Sequence, residues 1–204
     1  SNTIRSMVED DEGNMYVGTV DSLSVIHVDG TVASLDVPND IRCVKSLAIS
    51  EEGVISGVTN SGILFFIKDE KYLGDDKLNT SDGIYYTCVC NKSNGDFLVA
   101  TSDNRVFTCR YNGEIVTEEF GNTGNVISAS VLVKNDGGGY FLCAESGYGF
   151  FDENGKFNDM SSDDFGGSVS GVIEDYQGNY WISSTKQGIN KITPSPFADV
   201  FAEN

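Results

Sequence analysis

Short apolar runs separated by glycine-bearing polar turns recur along the whole chain, and no stretch holds the 3.6-residue spacing of an amphipathic helix. The clearest unit runs from Val172 to Ile189. It consists of an apolar run, an acidic turn closed by Gly178, a second run carrying Trp181, a polar turn at Ser184 to Gly188, and a third run from Ile189. That is the pattern of a β-meander. Met7 to Ile26 repeats it position by position, setting Glu9 against Glu174, Asp10 against Asp175, Gly13 against Gly178, Asn14 against Asn179 and Tyr16 against Trp181. Turn glycines at Gly13, Gly53, Gly95, Gly138 and Gly178 recur about every 40 residues. After each comes a strand, a polar turn and a further strand. Then a second turn signal follows in four units, Asp29-Gly30, Asp69-Glu70, Asn112-Gly113 and Asn154-Gly155, of the kind that suits two-residue hairpins.

Antiparallel strands grouped in fours at that period predict an all-β fold of β-propeller blades. The units fall at approximately 1–40, 41–83, 84–125, 126–167 and 168–204, with no linker between them, as one propeller fragment. Near-continuous apolar runs such as Ile63 to Ile67 suit sheets buried on both faces, whereas a β-sandwich would alternate and lack a fixed period. Pro194 and Pro196 are expected to turn the chain into the outer strand of the fifth unit, Phe197 to Phe201. Beginning on an innermost strand and ending on an outermost one, the chain is expected to be an incomplete arc of a larger propeller. Its open blade faces should favour self-association.

Thirteen basic against thirty-one acidic residues give a net charge of −18, which argues against nucleic acid and anionic membrane surfaces as partners. The apolar runs are far shorter than the roughly 20 residues of a membrane helix. No hydrophobic leader opens the chain, and its Ser1-Asn2 start is expected to mark a fragment of a longer protein. Cys43, Cys88, Cys90, Cys109 and Cys143 sit in apolar strand contexts without the paired spacing of a zinc site, so they are expected to be buried, unpaired thiols.

Catalytic chemistry finds little support. His27, the lone histidine, has no partner at ligand or triad spacing, and the Glu9 to Gly13 run lacks the ligand order of an EF-hand loop. No catalytic residue, metal site or cofactor is expected. The turn from Asp175 to Gly178 ahead of Trp181 resembles a sialidase Asp-box with one residue too many, a motif that closes a turn over an aromatic. Trp181 is expected to pack between blades, with Tyr16 and Phe97 at the comparable step. In a blade, the second turns and the crossovers share one end, where the loops vary most, and binding residues concentrate on such loops. Asp40, Asp82, Asp103, Tyr148, Asp163, Asp164 and Phe165 are the candidate ligand-binding residues there, with Tyr148 and Asp103 foremost.

An apolar strand followed by Glu-Asp, Gly-Asn, an aromatic, a Gly/Ser-Thr/Ser pair and a Gly-apolar step resembles the two-component regulator propeller repeat. The match is best over Ile173 to Ile192 and next over Val8 to Leu23, while the middle units agree in turns and strand spacing. That resemblance implies a usually seven-bladed propeller in the extracytoplasmic, periplasmic or cell-surface, sensor region of a membrane-anchored bacterial receptor. The parent's output domain would be a histidine kinase or diguanylate cyclase. It implies a non-catalytic role in signal transduction, sensing a small molecule or glycan. The alternatives are a propeller glycoside hydrolase or lyase acting on polysaccharide, and a protein-interaction scaffold.

Overall fold

The computed structural model describes residues 3–78 and 81–193, which form strands and turns throughout. Blade 1 comprises β1 (Ile4–Glu9), β2 (Met15–Thr19), β3 (Leu23–Ile26) and β4 (Val32–Ser34); blade 2 comprises β5 (Val44–Ile49), β6 (Ile55–Thr59), β7 (Ile63–Lys68) and β8 (Lys71–Lys77). β9 (Tyr86–Asn91), β10 (Phe97–Thr101), β11 (Arg105–Tyr111) and β12 (Ile115–Asn122) make blade 3, and β13 (Ala129–Lys134), β14 (Tyr140–Ala144), β15 (Tyr148–Phe151) and β16 (Phe157–Asp159) make blade 4. Blade 5 has β17 (Val169–Glu174), β18 (Tyr180–Ser184) and β19 (Gly188–Ile192). Every sheet is an antiparallel meander in chain order, so the described residues form five blades of an all-β propeller. Residues 194–204, where the sequence places an outer strand, lie outside the described residues. No helix among the described residues is long and apolar enough to cross a membrane.

The repeated turn is built by its aspartate. In blade 1 the Asp10 carboxylate accepts the backbone N–H groups of Glu12 and Asn14 at 3.0 and 2.8 Å, and Asp175 does the same for Gln177 and Asn179 at 2.9 and 3.0 Å in blade 5. Gly13 and Gly178 close these turns in the left-handed region, at φ 84° and 77°. These carboxylates hold the turn.

Blades pack forward face to back face, which is why strands such as β7 and β10 are apolar on both sides. Tyr16 and Val25 of blade 1 meet Ile55, Phe65 and Ile67 of blade 2; Val58, Leu64 and Phe66 then meet Val89, Phe97 and Val99 of blade 3. Leu98 and Val106 meet Leu132, Tyr140 and Leu142 of blade 4, and Phe141, Cys143 and Tyr148 meet Val172 and Ile182 of blade 5. Each fully buried Leu, Ile or Phe stabilises by roughly 1.5–3 kcal/mol. Inner strands touch in the order β1, β5, β9, β13, β17, and no comparable contact joins β17 to β1 among the described residues.

Strand pairing changes one expectation. Tyr16, which pairs with Val8, corresponds to Leu98, Phe141 and Trp181, whereas Phe97 stands one step earlier and faces the opposite way, toward blade 2. In blade 2 the same step is Ser56, whose fully buried hydroxyl is the one buried side-chain polar atom without a hydrogen-bond partner among the described residues.

All five cysteines are free; Cys88, Cys90, Cys109 and Cys143 are buried and Cys43 is half-buried. Burial pushes the Cys88 and Cys143 thiols up to about 12, and those of Cys90 and Cys109 upward as well. Thiolate is the reactive form. A disulfide reagent at mildly alkaline pH should therefore titrate one thiol quickly in the native, unreduced protein and five after denaturation; a denatured count of one would mean two disulfides.

Candidate functional site

Second turns and crossovers do share one end, and a relay of backbone hydrogen bonds stitches it together. The Cys43 N–H donates to the Val20 carbonyl in the preceding blade, and the Cys43 carbonyl accepts from Asn60 N–H, both at 2.9 Å. Ser168 repeats the step, donating to Glu145 at 2.7 Å and accepting from Thr185 at 3.0 Å. Cys43, Ser128 and Ser168 adopt φ of 51°, 58° and 53° to do so, a conformation non-glycine residues rarely hold. Side chains of the second turns also tie down the adjoining crossover. Asn104 Nδ2 donates to the Gly124 carbonyl at 2.9 Å, Ser146 Oγ accepts from Ile127 N–H at 2.8 Å, and Gln187 Oε1 accepts the N–H groups of Gly166 and Gly167 at 3.1 and 3.0 Å.

One residue near the start of each inner strand drops out of the ladder as a bulge: Arg5, Lys45, Thr87, Ser130 and Ser170. Bulges re-aim side chains and favour site rims. All five are polar and lie at the crossover end. Lys45 is half-buried, its Nζ 5.7 Å from the centre of the Tyr85 ring, and burial lowers its pKa. Sequence reading passed over these positions, whose one visible signal is a polar residue near the head of each inner strand.

The structure separates the seven candidate residues. Asp40 is exposed and lines a cleft of about 460 Å³ between the crossover from blade 1 and the end of blade 2, together with Asn39, Arg42, Asn60, Ser61 and Lys77. Asp82, Asp163 and Asp164 are exposed on crossover loops, and the Asp164 carbonyl accepts from Gln187 Nε2 at 3.1 Å. Asp103 is already engaged. Arg105 Nε donates to its carboxylate at 2.8 Å, and the Thr101 hydroxyl and the Arg105 N–H bind it too. Partial burial works against its charge, but these donors hold its carboxyl below the usual carboxylate range. Tyr148 and Phe165 are not surface aromatics, contrary to their placement from sequence. Tyr148 opens β15 and pairs with Cys143, so it points into the blade 4–5 interface, 3% exposed. Phe165 folds in against it, 8% exposed, with ring centroids 6.0 Å apart.

Arg42 and Lys77, two of only thirteen basic residues, give the Asp40 cleft charges of both signs. A cleft with a carboxylate, two cations and two amides can hydrogen-bond a polyol or pair with an acidic group. At the opposite end, Glu12, Glu51, Asp69 and Glu70 border an acidic cleft, and His27 Nε2 lies 2.9 Å from Glu70 Oε1, which raises the histidine pKa. Among the described residues no three His, Cys, Asp or Glu side chains converge as metal ligands do.

This architecture defines a repeat-built β-propeller. Residues 1–21, blade 1 through its second turn, match the family model of the two component regulator propeller. No curated protein matches the chain. Among solved structures, the chain is similar to a catalytically inactive virginiamycin B lyase from Staphylococcus aureus with quinupristin (TM-score 0.73, 18% identity, covering 96% of this chain and 71% of the lyase). It is also similar to the extracellular domain of a hybrid two component system from B. thetaiotaomicron (TM-score 0.72, 16% identity, 94% of this chain and 28% of that one). A third is an auxiliary nutrient binding protein from Bacteroides ovatus (TM-score 0.70, 12% identity, 96% and 60%). At these identities the likeness is one of fold.

Proposed function

We propose that the chain is part of the ligand-sensing propeller of a bacterial signal-transduction receptor, acting outside the cytoplasm and without catalysis. The observation that carries this reading is the two component regulator propeller match in blade 1, and the likeness to an extracellular two component domain agrees with it. The ligand face is the crossover end, and its entry point is the Asp40, Arg42 and Lys77 cleft, which suits a small polar ligand of the glycan class, acidic sugars included.

Calorimetric titration with a panel of neutral and acidic oligosaccharides tests this. For any binder found, Arg42→Ala with Lys77→Ala should weaken affinity at least tenfold, the scale of losing one or two charge-assisted hydrogen bonds, about 1.5–3 kcal/mol each. Asp103→Asn should act on stability instead. A chemical-shift map centred on Asp10, Asn14, Asp175 and Asn179 would move the site to the other end. The lyase likeness supports a second reading, a polysaccharide lyase on the same fold, and release of unsaturated product from a polysaccharide would favour it.

A further inference from the structure

Charges of both signs meet in the crossover cleft without cancelling one another. Ile41, 2% exposed, is drawn into the core between blades 1 and 2, so its neighbours Asp40 and Arg42 stand exposed on either side of a fixed anchor. The loop around it is tight. Ile41 N–H donates to the Pro38 carbonyl at 2.9 Å, Arg42 N–H donates to the Asp40 carbonyl at 3.0 Å, and Arg42 Nη2 donates to Asn39 Oδ1 at 3.2 Å, which aims the guanidinium. Cys43 then clamps the loop to both blades through its bonds to Val20 and Asn60. Lys77 reaches the cleft from β8, where it pairs with Ile63. Among the described residues Asp40 forms no ion pair with Arg42 or Lys77, although such pairs form elsewhere, as between Asp103 and Arg105.

That arrangement discriminates by charge. A simple acid could pair with Arg42 and Lys77, but it would face Asp40 and the field of a chain carrying −18. A simple amine could pair with Asp40, but it would face two cations. A ligand bearing both an ammonium and a carboxylate satisfies all three side chains and brings no net charge into the field. We infer that the crossover cleft selects a small zwitterion, with its ammonium on Asp40 and its carboxylate on Arg42 and Lys77. That assignment rests on the reading of this cleft as the ligand entry point and adds the charge rule of its ligand. Two sources supply the chemistry, an amino sugar acid and a free amino acid. The exposed Asn60 and Ser61 side chains give a sugar ring hydrogen-bonding partners that an amino acid would leave unused.

Calorimetric titration of the full chain with glucosamine, glucuronate, β-alanine and muramic acid, which is an amino sugar acid, tests this. Cys43 lines the same cleft and is the one thiol not fully buried, so slower alkylation of Cys43 places binding there. Muramic acid should bind roughly tenfold tighter than glucosamine or glucuronate, the scale of one added charge-assisted contact, and should slow the alkylation most. Asp40→Asn should remove its advantage over glucuronate, and Arg42→Ala with Lys77→Ala its advantage over glucosamine. All three positions are exposed, so none of these changes empties a core site. β-Alanine binding as tightly as muramic acid would uphold the charge rule and trace the ligand to amino acids. Glucuronate or glucosamine binding as tightly as muramic acid, or an Asp40→Asn variant that keeps the full preference, overturns the inference while leaving the cleft as a site. Absence of heat and of Cys43 protection with all four probes overturns it too, and the oligosaccharide titration then decides separately whether the cleft binds at all.

Discussion

Phe66→Ala is expected to destabilise the protein by about 3–5 kcal/mol, the range for emptying a fully buried phenylalanine site. For a chain of this length that lowers Tm by roughly 6–20 °C, at about 2–4 °C per kcal/mol. Phe66 is completely buried on the forward face of blade 2, edge-on to Phe97 of blade 3 at 5.8 Å and tilted against Tyr111 at 6.1 Å. Opposite it on β6 stands Ser56, where other blades place Tyr16, Leu98, Phe141 or Trp181, so this ring fills space that its partner strand leaves empty. Little can collapse into the hole. Tyr176→Ala removes an aromatic that is 95% exposed and should stay within about 0.5 kcal/mol of wild type, so a Phe66→Ala change no larger than that would show the blade 2–3 interface to be poorly packed.

Gly155→Ala should come next, and Gly30→Ala separates its two causes. Both glycines close hairpin turns in the left-handed region, at φ 82° and 83°. A Cβ on Gly30 meets nothing within 4 Å, whereas one on Gly155 would lie 1.9 Å from the Phe120 carbonyl oxygen of blade 3. Gly30→Ala thus measures the backbone conformation alone, about 1–2 kcal/mol. Gly155→Ala adds the cost of pushing blade 3 and blade 4 apart at their outer strands, a further ~1–3 kcal/mol typical of overpacking. Denaturant melts of the two variants should differ by that increment. Equal losses would mean that the close approach at Phe120 relaxes freely.

Local chemistry was readable from the chain because it acts over a few residues. The Asp10 and Asp175 turns, the left-handed glycines behind them and the alternation of turn ends are each set by side chains within five positions of the backbone they hold. So are the near-continuous apolar runs of β7 and β10, which announce burial on two faces. A period visible in the sequence is a period in space when every unit packs against a copy of itself.

The candidate site was readable only in part. Asp40 is exposed on an open cleft, but Arg42 and Lys77 come from a crossover and an outer strand 35 residues apart and meet because the crossover passes over the end of blade 2, where Ile63 of β7 pairs with Lys77 of β8. Asp103 looked free and is bound by Thr101 and Arg105. Tyr148 and Phe165 looked like loop aromatics, yet one belongs to the first step of β15 and the other closes over it. The sequence by itself determined the strands, their turns, the blade period and the five thiols in apolar settings, since these follow from propensities and hydrogen bonds inside one unit. Tertiary structure alone decided which crossover side chains face water and where the polar bulge residues stand, because each of those depends on how the strands pair and what the neighbouring elements cover.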